Sequence, residues 1–347
     1  MKNKKFNKRL LSGFLFACLL LTSCEVHEWP ELPGEYATLS LQLDYFTDMH
    51  YWHQAYEGAS STTTVSKNPN DYYDNLRNIK QGSRLAVTVK VHRNNSSRML
   101  VSTDTFLTEM TGDFNSTVDI KVPVGEEYTV TVWSQLVEGN DAAFYDNSDF
   151  NSIKLIKEKY VGNTDMRDAF RGRISISIPT ETSITEVVQM RRPMGKLEFV
   201  TTGLKNFLAN EEVRLKLAGQ TVSLDDYTVV ISYPAYYPSA YNAMDDRLEN
   251  SSTGYSFSAP LTRNGDSDDE TSLGFDYVMI NNSSDEAVQA RVNIVHKDGT
   301  QVAGTGMITI PMGRDYHTVV RGNFLTTKGD GGIGLDPDFE GDFNITL

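Results

Sequence analysis

Apolar and polar residues alternate along most of this 347-residue chain. Leu39, Leu41, Leu43 and Tyr45 alternate in ATLSLQLDYF, and Leu85, Val87, Val89 and Val91 in RLAVTVKVH. Val118, Ile120 and Val122 lead into a turn, after which Tyr128, Val130 and Val132 resume the pattern. Ile174, Ile176 and Ile178 continue it, followed by KLEFVTT, EVRLKLAG, YTVVISY, FDYVMIN, ARVNIVHK, GMITIP, YHTVVRGNFL and FNITL. A period of two is that of a strand with one buried face. No segment carries a sustained helical stripe; DYYDNLRNIK (71–80) and NSIKLIKEKY (151–160) are the two candidate short helices. Many short strands between turn residues predict an all-β chain of Ig-like sandwiches. Three long stretches, 47–83, 138–172 and 233–272, are expected as irregular loops, either functional or mobile.

The N-terminus departs from this pattern. MKNKKFNKR carries five positive charges, and LLSGFLFACLLL (10–21) is a run dominated by Leu, Phe and Ala. A spanning helix needs roughly 20 apolar residues, so this run suits a signal peptide instead. Leu21-Thr22-Ser23-Cys24 resembles the lipobox of bacterial lipoproteins, in which the Cys thiol is lipidated and the chain is cut before it. The chain has two cysteines, and Cys18 lies inside the run to be removed. In the alternative, an ordinary secretion signal, Cys24 is a solitary thiol without a disulfide partner. The expected organisation is a signal peptide at 1–23, lipidation at Cys24 and an acidic tether at 24–36. This would tie the chain to the outer membrane, surface-facing, through its lipid.

The formal net charge is −14, and all 46 acidic residues lie beyond the basic N-terminus. An acidic excess of this size argues against nucleic acid as a partner, which wants basic patches. No CxxC knuckle exists, no second long apolar run follows, and no cofactor is implied. The length suggests two domains.

An internal echo supports two. VPVGEEYTVTV (122–132) and IPMGRDYHTVV (310–320) share one pattern of Pro, Gly and Tyr. Pro ends a strand because it donates nothing to the ladder, and Gly125 and Gly313 suit a tight turn. Tyr128 and Tyr316 would then open the return strand of a hairpin corner and pack on the core. The boundary is expected near Arg191-Arg192-Pro193, dividing the chain into 37–190 and 191–347.

With LTSC, the two β domains, RRPMGKLEFVTT, NTDMRDAFRG (163–172) and VVRGNFLTTKGDGGIGLDPDFEGDFN in view, the chain resembles the fimbrillin-like lipoproteins of Bacteroidetes, which are fimbrial subunits and anchors. The resemblance implies two tandem transthyretin-like sandwiches and fimbrial subunits as partners, joined by β-strand addition. In that family shaft subunits are cut after an Arg, whereas anchors keep their lipid. The first Arg after Cys24 is Arg77, so none precedes Leu39–Tyr45. This leans toward an unprocessed, membrane-held protein, although a cut at Arg77 or Arg84 would still release the first strand.

Rival sites are weaker. Gly329–Gly334 matches GxGxxG but lacks the following helix and acid. Asp336–Gly341 opens like a calcium loop, but its twelfth position is Leu347, and the run Asp266, Asp268, Asp269, Glu270 lacks the loop glycine. Tyr233, Tyr236, Tyr237 and Tyr241 crowd one stretch with two prolines. They form the candidate ligand loop of an alternative reading, a glycan-binding lipoprotein of a sugar-uptake system, or else cover a sandwich edge. His50 and His53 have a loose zinc-like spacing without further ligands. No GxSxG or HExxH occurs, and nothing points to an enzyme.

Overall fold

The computed structural model describes residues 36–56, 66–74, 83–95, 97–109, 116–138, 144–179, 183–263, 269–282 and 286–325. Cys24, the tether, the GxGxxG segment and the terminal FNITL lie outside them. The chain begins β1 (Tyr36–Tyr45), β2 (Asp48–Tyr56), β3 (Ser66–Asp74), β4 (Ser83–Arg93), β5 (Leu100–Glu109), β6 (Ser116–Pro123) and β7 (Glu126–Glu138). It continues with β8 (Tyr145–Asp146), β9 (Ile153–Leu155), β10 (Ala169–Ile178), β11 (Ile184–Met190) and β12 (Met194–Thr201). Helix α1 (Leu204–Leu217) precedes β13 (Tyr227–Tyr233), β14 (Tyr237–Asn242), β15 (Arg247–Ser252) and β16 (Tyr255–Pro260). The last strands are β17 (Thr271–Met279), β18 (Glu286–His296), β19 (Gln301–Gly304), β20 (Ile308–Met312) and β21 (Tyr316–Gly322).

Two sandwiches result. The first stacks β11-β1-β6 on β10-β7-β4-β5. Its core follows the alternation: Leu39, Leu41 and Leu43 of β1 meet Val87, Val89 and Val91 of β4 and Val130 and Val132 of β7. Each such side chain contributes about 1.5–3 kcal/mol by leaving water. The second stacks β17-β12-β21 on β16-β13-β18, with β19 and β20 both paired to β18.

The two share one topology. In each, the first strand lies parallel to the last and antiparallel to the fourth (β1 with β11 and β6; β12 with β21 and β17). In each, the remaining strands form one antiparallel row, β5-β4-β7-β10 and β16-β13-β18-β20. The sequence echo, however, joins corners that are not equivalent in this repeat. VPVGEEYTVTV is the β6–β7 passage, whereas IPMGRDYHTVV is the β20–β21 passage, whose counterpart is β10–β11. Neither is a hairpin. β6 pairs with β1 while β7 pairs with β4 and β10, so the chain crosses from one sheet to the other; β20 and β21 do likewise. The same local problem, ending one strand and re-entering the opposite sheet, produces the same residues at both places.

The stretches expected as irregular loops carry structure, and two of them reach across. β2 adds parallel to β21 and β3 pairs with β2, widening the second sandwich. β9 pairs with β14 of the β14–β15 hairpin and β8 with β9, and Tyr145, Phe150, Ile153 and Leu155 join the second core. β11 ends at Met190 and β12 opens at Met194, and insertions from the first frame complete the second.

Where the candidate helices are described, they hold other structure, and 75–80 lie outside the described residues. Residues 71–74 close β3, and 151–160 hold β9 and a 3-10 turn at Lys157–Lys159. The one α-helix among the described residues is α1, where EVRLKLAG reads as a strand. Leu204, Phe207, Glu211 and Leu215 are buried on one side, while Val213 and Leu217 are exposed. The spacing of three and four, not two, sets the buried face.

Candidate functional site

The predicted tyrosine loop is mostly interior. Tyr233, Tyr237 and Tyr241 are 1%, 1% and 0% exposed, and Tyr236 alone stands out at 74%. Tyr233 ends β13 on its core face and Tyr237 opens β14, so the intervening turn folds both rings inward. Their centroids lie 4.6 Å apart, and Tyr255 is 4.7 Å beyond Tyr237. Three of the four rings thus offer no face to a sugar. His50 and His53, three apart on β2, face opposite sides of the sheet. Among the described residues no group of three His, Cys, Asp or Glu could hold a metal. No helix among them is long and apolar enough to cross a membrane.

The passages singled out by the echo differ in detail. Gly125 takes φ +92° and donates its N–H to Ile178. Tyr128 is fully buried, and its hydroxyl donates to the Pro123 carbonyl at 2.9 Å. At the other passage the left-handed residue is Asp315, at φ 57°. Gly313 is needed for space, since a Cβ there would lie 2.8 Å from the Tyr316 ring. Tyr316 is half-buried against Trp52 and His50 of β2 rather than in the core.

What the fold assembles around Tyr237 is an ionic junction between the sandwiches. The segment between β9 and β10 enters it as a 3-10 turn at Asp165–Arg167, capped by the Thr164 side chain accepting from Met166 N–H at 3.2 Å. Arg167 is 1% exposed and donates to the Asp276 carboxylate of β17, to the Tyr277 carbonyl at 2.8 Å and to the Tyr237 hydroxyl at 3.2 Å. Asp276 also accepts from Tyr237 at 3.0 Å and Tyr160 at 2.7 Å. Tyr145 donates to the Arg167 carbonyl at 2.8 Å. Burial pulls against the Arg167 charge, but Asp276 together with Tyr237, Tyr145 and Tyr160 outweighs it and holds the guanidinium protonated. Burial, then the Asp276 charge, pushes Tyr237 well above the ordinary tyrosine range, and burial pushes Tyr145 up to about 12.

A second pair lies beside it. Arg192, 1% exposed, donates from Nε to both oxygens of the fully buried Asp168 at 2.9 Å, and from Nη1 to the Phe46 carbonyl at 3.2 Å. One guanidinium thereby ties the β1–β2 connection, the strand entering β10 and the chain entering β12. Asp315 lies 3.9 Å from its Nη1. Burial pushes the Asp315 carboxyl up to about 6 against the pull of Arg192. A third lobe joins Arg314 and Arg171 to Asp246, whose other contact is the Tyr241 hydroxyl. Buried pairs of this kind are tolerated only when hydrogen bonds satisfy their remaining groups, and they specify one arrangement.

None of these charged groups is marked by spacing along the chain. Arg167 and Asp168 lie within NTDMRDAFRG, noted for resemblance, and Arg192 within RRPMG, noted for resemblance and as the expected boundary. A usable signal is Asp276 itself, an acid inside the otherwise apolar and aromatic run FDYVMIN.

The fold and junction define a class: an all-β protein of two repeated sandwiches, cross-braced by insertions and locked by buried ion pairs. The chain belongs to the family described as "Family of unknown function (DUF6562)", which matches residues 37–347. No curated protein matches the sequence. Solved structures similar to it include a candidate cell adhesion protein from Bacteroides eggerthii, 12% identical, with a TM-score of 0.43 over 89% of this chain and 92% of that one. A candidate polysaccharide-binding protein from Bacteroides thetaiotaomicron is 14% identical, with a TM-score of 0.42 over 78% and 80%. The fimbrial anchor protein Mfa2 from Porphyromonas gingivalis is 10% identical, with a TM-score of 0.38 over 78% and 82%. Likenesses at this level carry no correspondence between residues.

Proposed function

We propose that this protein is a surface-anchored, non-catalytic adhesive or structural component of the fimbrillin-like kind. In this reading it is held at the outer membrane by lipid on Cys24 and remains uncut at its N-terminal strand. The observation that carries the reading is the route of the chain through β1 and β2. β1 lies between β11 and β6, bonded on both sides, with Leu39, Leu41 and Leu43 at 0–2% exposure. Only Phe46 and Thr47 separate it from β2, which is built into the other sandwich through Met49, Trp52, Gln54 and Tyr56. The Gln54 amide donates to the Pro311 carbonyl of β20 at 2.8 Å. A cut at Arg77 would have to strip β2 and β3 from the second sandwich before β1 could leave. Arg84 lies within β4, paired on both sides. This supports a protein that keeps β1 and meets partner subunits by strand addition elsewhere on its surface.

The test is palmitate labelling of wild type and Cys24→Ala, combined with protease treatment of intact cells and the N-terminal sequence of the isolated protein. Label confined to the wild type, surface sensitivity and a chain retaining residues 36–77 are expected. Label persisting in Cys24→Ala, or a mature chain beginning after Arg77, overturns the reading.

A further inference from the structure

Lys196 of β12 is a buried amine that the junction does not need for its other pairs. Its side chain is 3% exposed, and Nζ lies 2.9 Å from Oδ1 of Asp165, whose side chain is 14% exposed. The sheet register sets Lys196 between Tyr277 of β17 and His317 of β21. The Tyr277 hydroxyl donates to the same Asp165 oxygen at 2.8 Å. The rings of Phe275 and Tyr277 wall the amine, with centroids 4.0 and 5.6 Å from Nζ. Further along the same face Glu198 lies 2.8 Å from His317 Nε2 and accepts from Ser272 at 2.6 Å. Burial holds His317 below the usual histidine range despite Glu198, so a neutral imidazole faces this pocket.

From this geometry we propose that Lys196 and Asp165 condense to an intramolecular isopeptide bond. A nucleophile and a carboxyl are held in contact, in a dry aromatic site, with a hydroxyl polarising the carboxyl oxygen. Passing one proton along the Nζ–Oδ1 contact leaves a neutral amine beside a neutral acid, with no change in net charge. Nζ then attacks Cγ, the C–N bond forms and the Cγ–Oδ2 bond breaks. Oδ1, held by Tyr277, remains as the amide oxygen. Oδ2 leaves as water with two of the ammonium protons, and the third stays on the amide nitrogen. His317 and Glu198 are the groups placed to relay protons. No oxidant, cofactor or second substrate is needed.

Two physical terms favour the step. Fixed neighbours react with effective molarities of up to about 10⁵–10⁸ M. Removing both charges also relieves the desolvation penalty that a buried ion pair carries. The bond would join the 3-10 turn that enters the junction to the first strand of the second sandwich. A pull along the chain would then bypass β10 and β11, which suits a protein loaded at a surface. The inference does not depend on the lipid anchor.

Tryptic digestion of the purified full chain and mass spectrometry test it directly. The expected product is a branched peptide joining Tyr160–Arg167 to Arg192–Lys205, uncut at Lys196 and lighter than the sum of its parts by one water. Asp165→Asn is expected to give the same branched product, now with loss of ammonia. Lys196→Arg is expected to give linear peptides only. Linear Tyr160–Arg167 and cleavage after Lys196 in the wild type would reduce the contact to an ion pair and overturn the proposal. So would a branched peptide that survives Lys196→Arg.

Discussion

Replacing Arg192 by Met isolates the contribution of the junction to stability. Met fills much of the volume and keeps an apolar stem against Phe170, whose ring lies 4.7 Å from the guanidinium carbon. It leaves the Asp168 carboxylate, 0% exposed, without the Nε–H that now serves both its oxygens, and removes a donor from the Phe46 carbonyl. Stripping one partner from a buried pair costs about 3–5 kcal/mol, because the surviving charge is left in a medium that solvates it poorly. At roughly 2–4 °C per kcal/mol for a domain of this size, the melting midpoint should fall by roughly ten degrees. The assay is urea unfolding followed by far-ultraviolet circular dichroism on wild type, Arg192→Met, Asp168→Leu and the double variant. Replacing both charges with apolar side chains of similar volume is often close to neutral. The double variant should therefore be more stable than the sum of the single losses requires. A loss under about 1 kcal/mol for Arg192→Met, or a double variant that simply adds the two losses, refutes the reasoning.

Other outcomes follow from the same geometry. Asp315 has its carboxyl raised from 3.8 to about 6, so the folded state holds its proton more tightly than the unfolded chain does. The stability it contributes is complete below about pH 4 and is lost as pH rises through about 6, a change of roughly 3 kcal/mol. Asp315→Asn, which also tolerates the left-handed backbone at φ 57°, should be more stable than wild type at pH 7 and equal to it near pH 4. A difference that does not shrink with falling pH contradicts the assignment. Gly125→Ala meets open space but forces a side chain into φ +92°, and should cost about 1–2 kcal/mol in chemical denaturation. Tyr236→Ala should leave stability within about 0.5 kcal/mol of wild type, whereas Tyr237→Ala, which opens a cavity and strands Arg167 and Asp276 contacts, should lose about 3–5 kcal/mol. Equal effects at the two tyrosines would mean that the loop is not oriented as described.

Much of the fold is legible in the chain because alternation reports burial directly. ATLSLQLDYF, RLAVTVKVH and YTVVISY each become a strand with its apolar residues in a core. The one failure of that rule among the described residues, EVRLKLAG, is informative. Val213, Leu215 and Leu217 satisfy a period of two by composition, yet only Leu215 is buried, because the helix also draws on Leu204, Phe207 and Glu211 upstream. Glu211 earns its interior place from Arg214 one turn on and from the Tyr227 hydroxyl at 2.7 Å, which lies beyond the helix on β13. The tyrosine cluster fails as a ligand loop for a related reason. Aromatic crowding marks either a binding surface or a core, and direction decides between them. That direction is set by where β13 ends and β14 begins.

The sequence by itself determined that this is a β protein with a basic and apolar N-terminal run and a single cysteine after it. These properties are local: each is carried by neighbours a few residues apart. Only the tertiary structure decided that β2 belongs to the opposite sandwich, that both sandwiches close with a parallel first and last strand, and that Arg167, Asp168, Arg192 and Asp276 meet in one dry junction. The physical reason is that side-chain alternation specifies which face of a strand is buried but not which strand lies beside it. Pairing is made by backbone groups that are alike at every residue, so the partner is chosen by the closing of both cores at once.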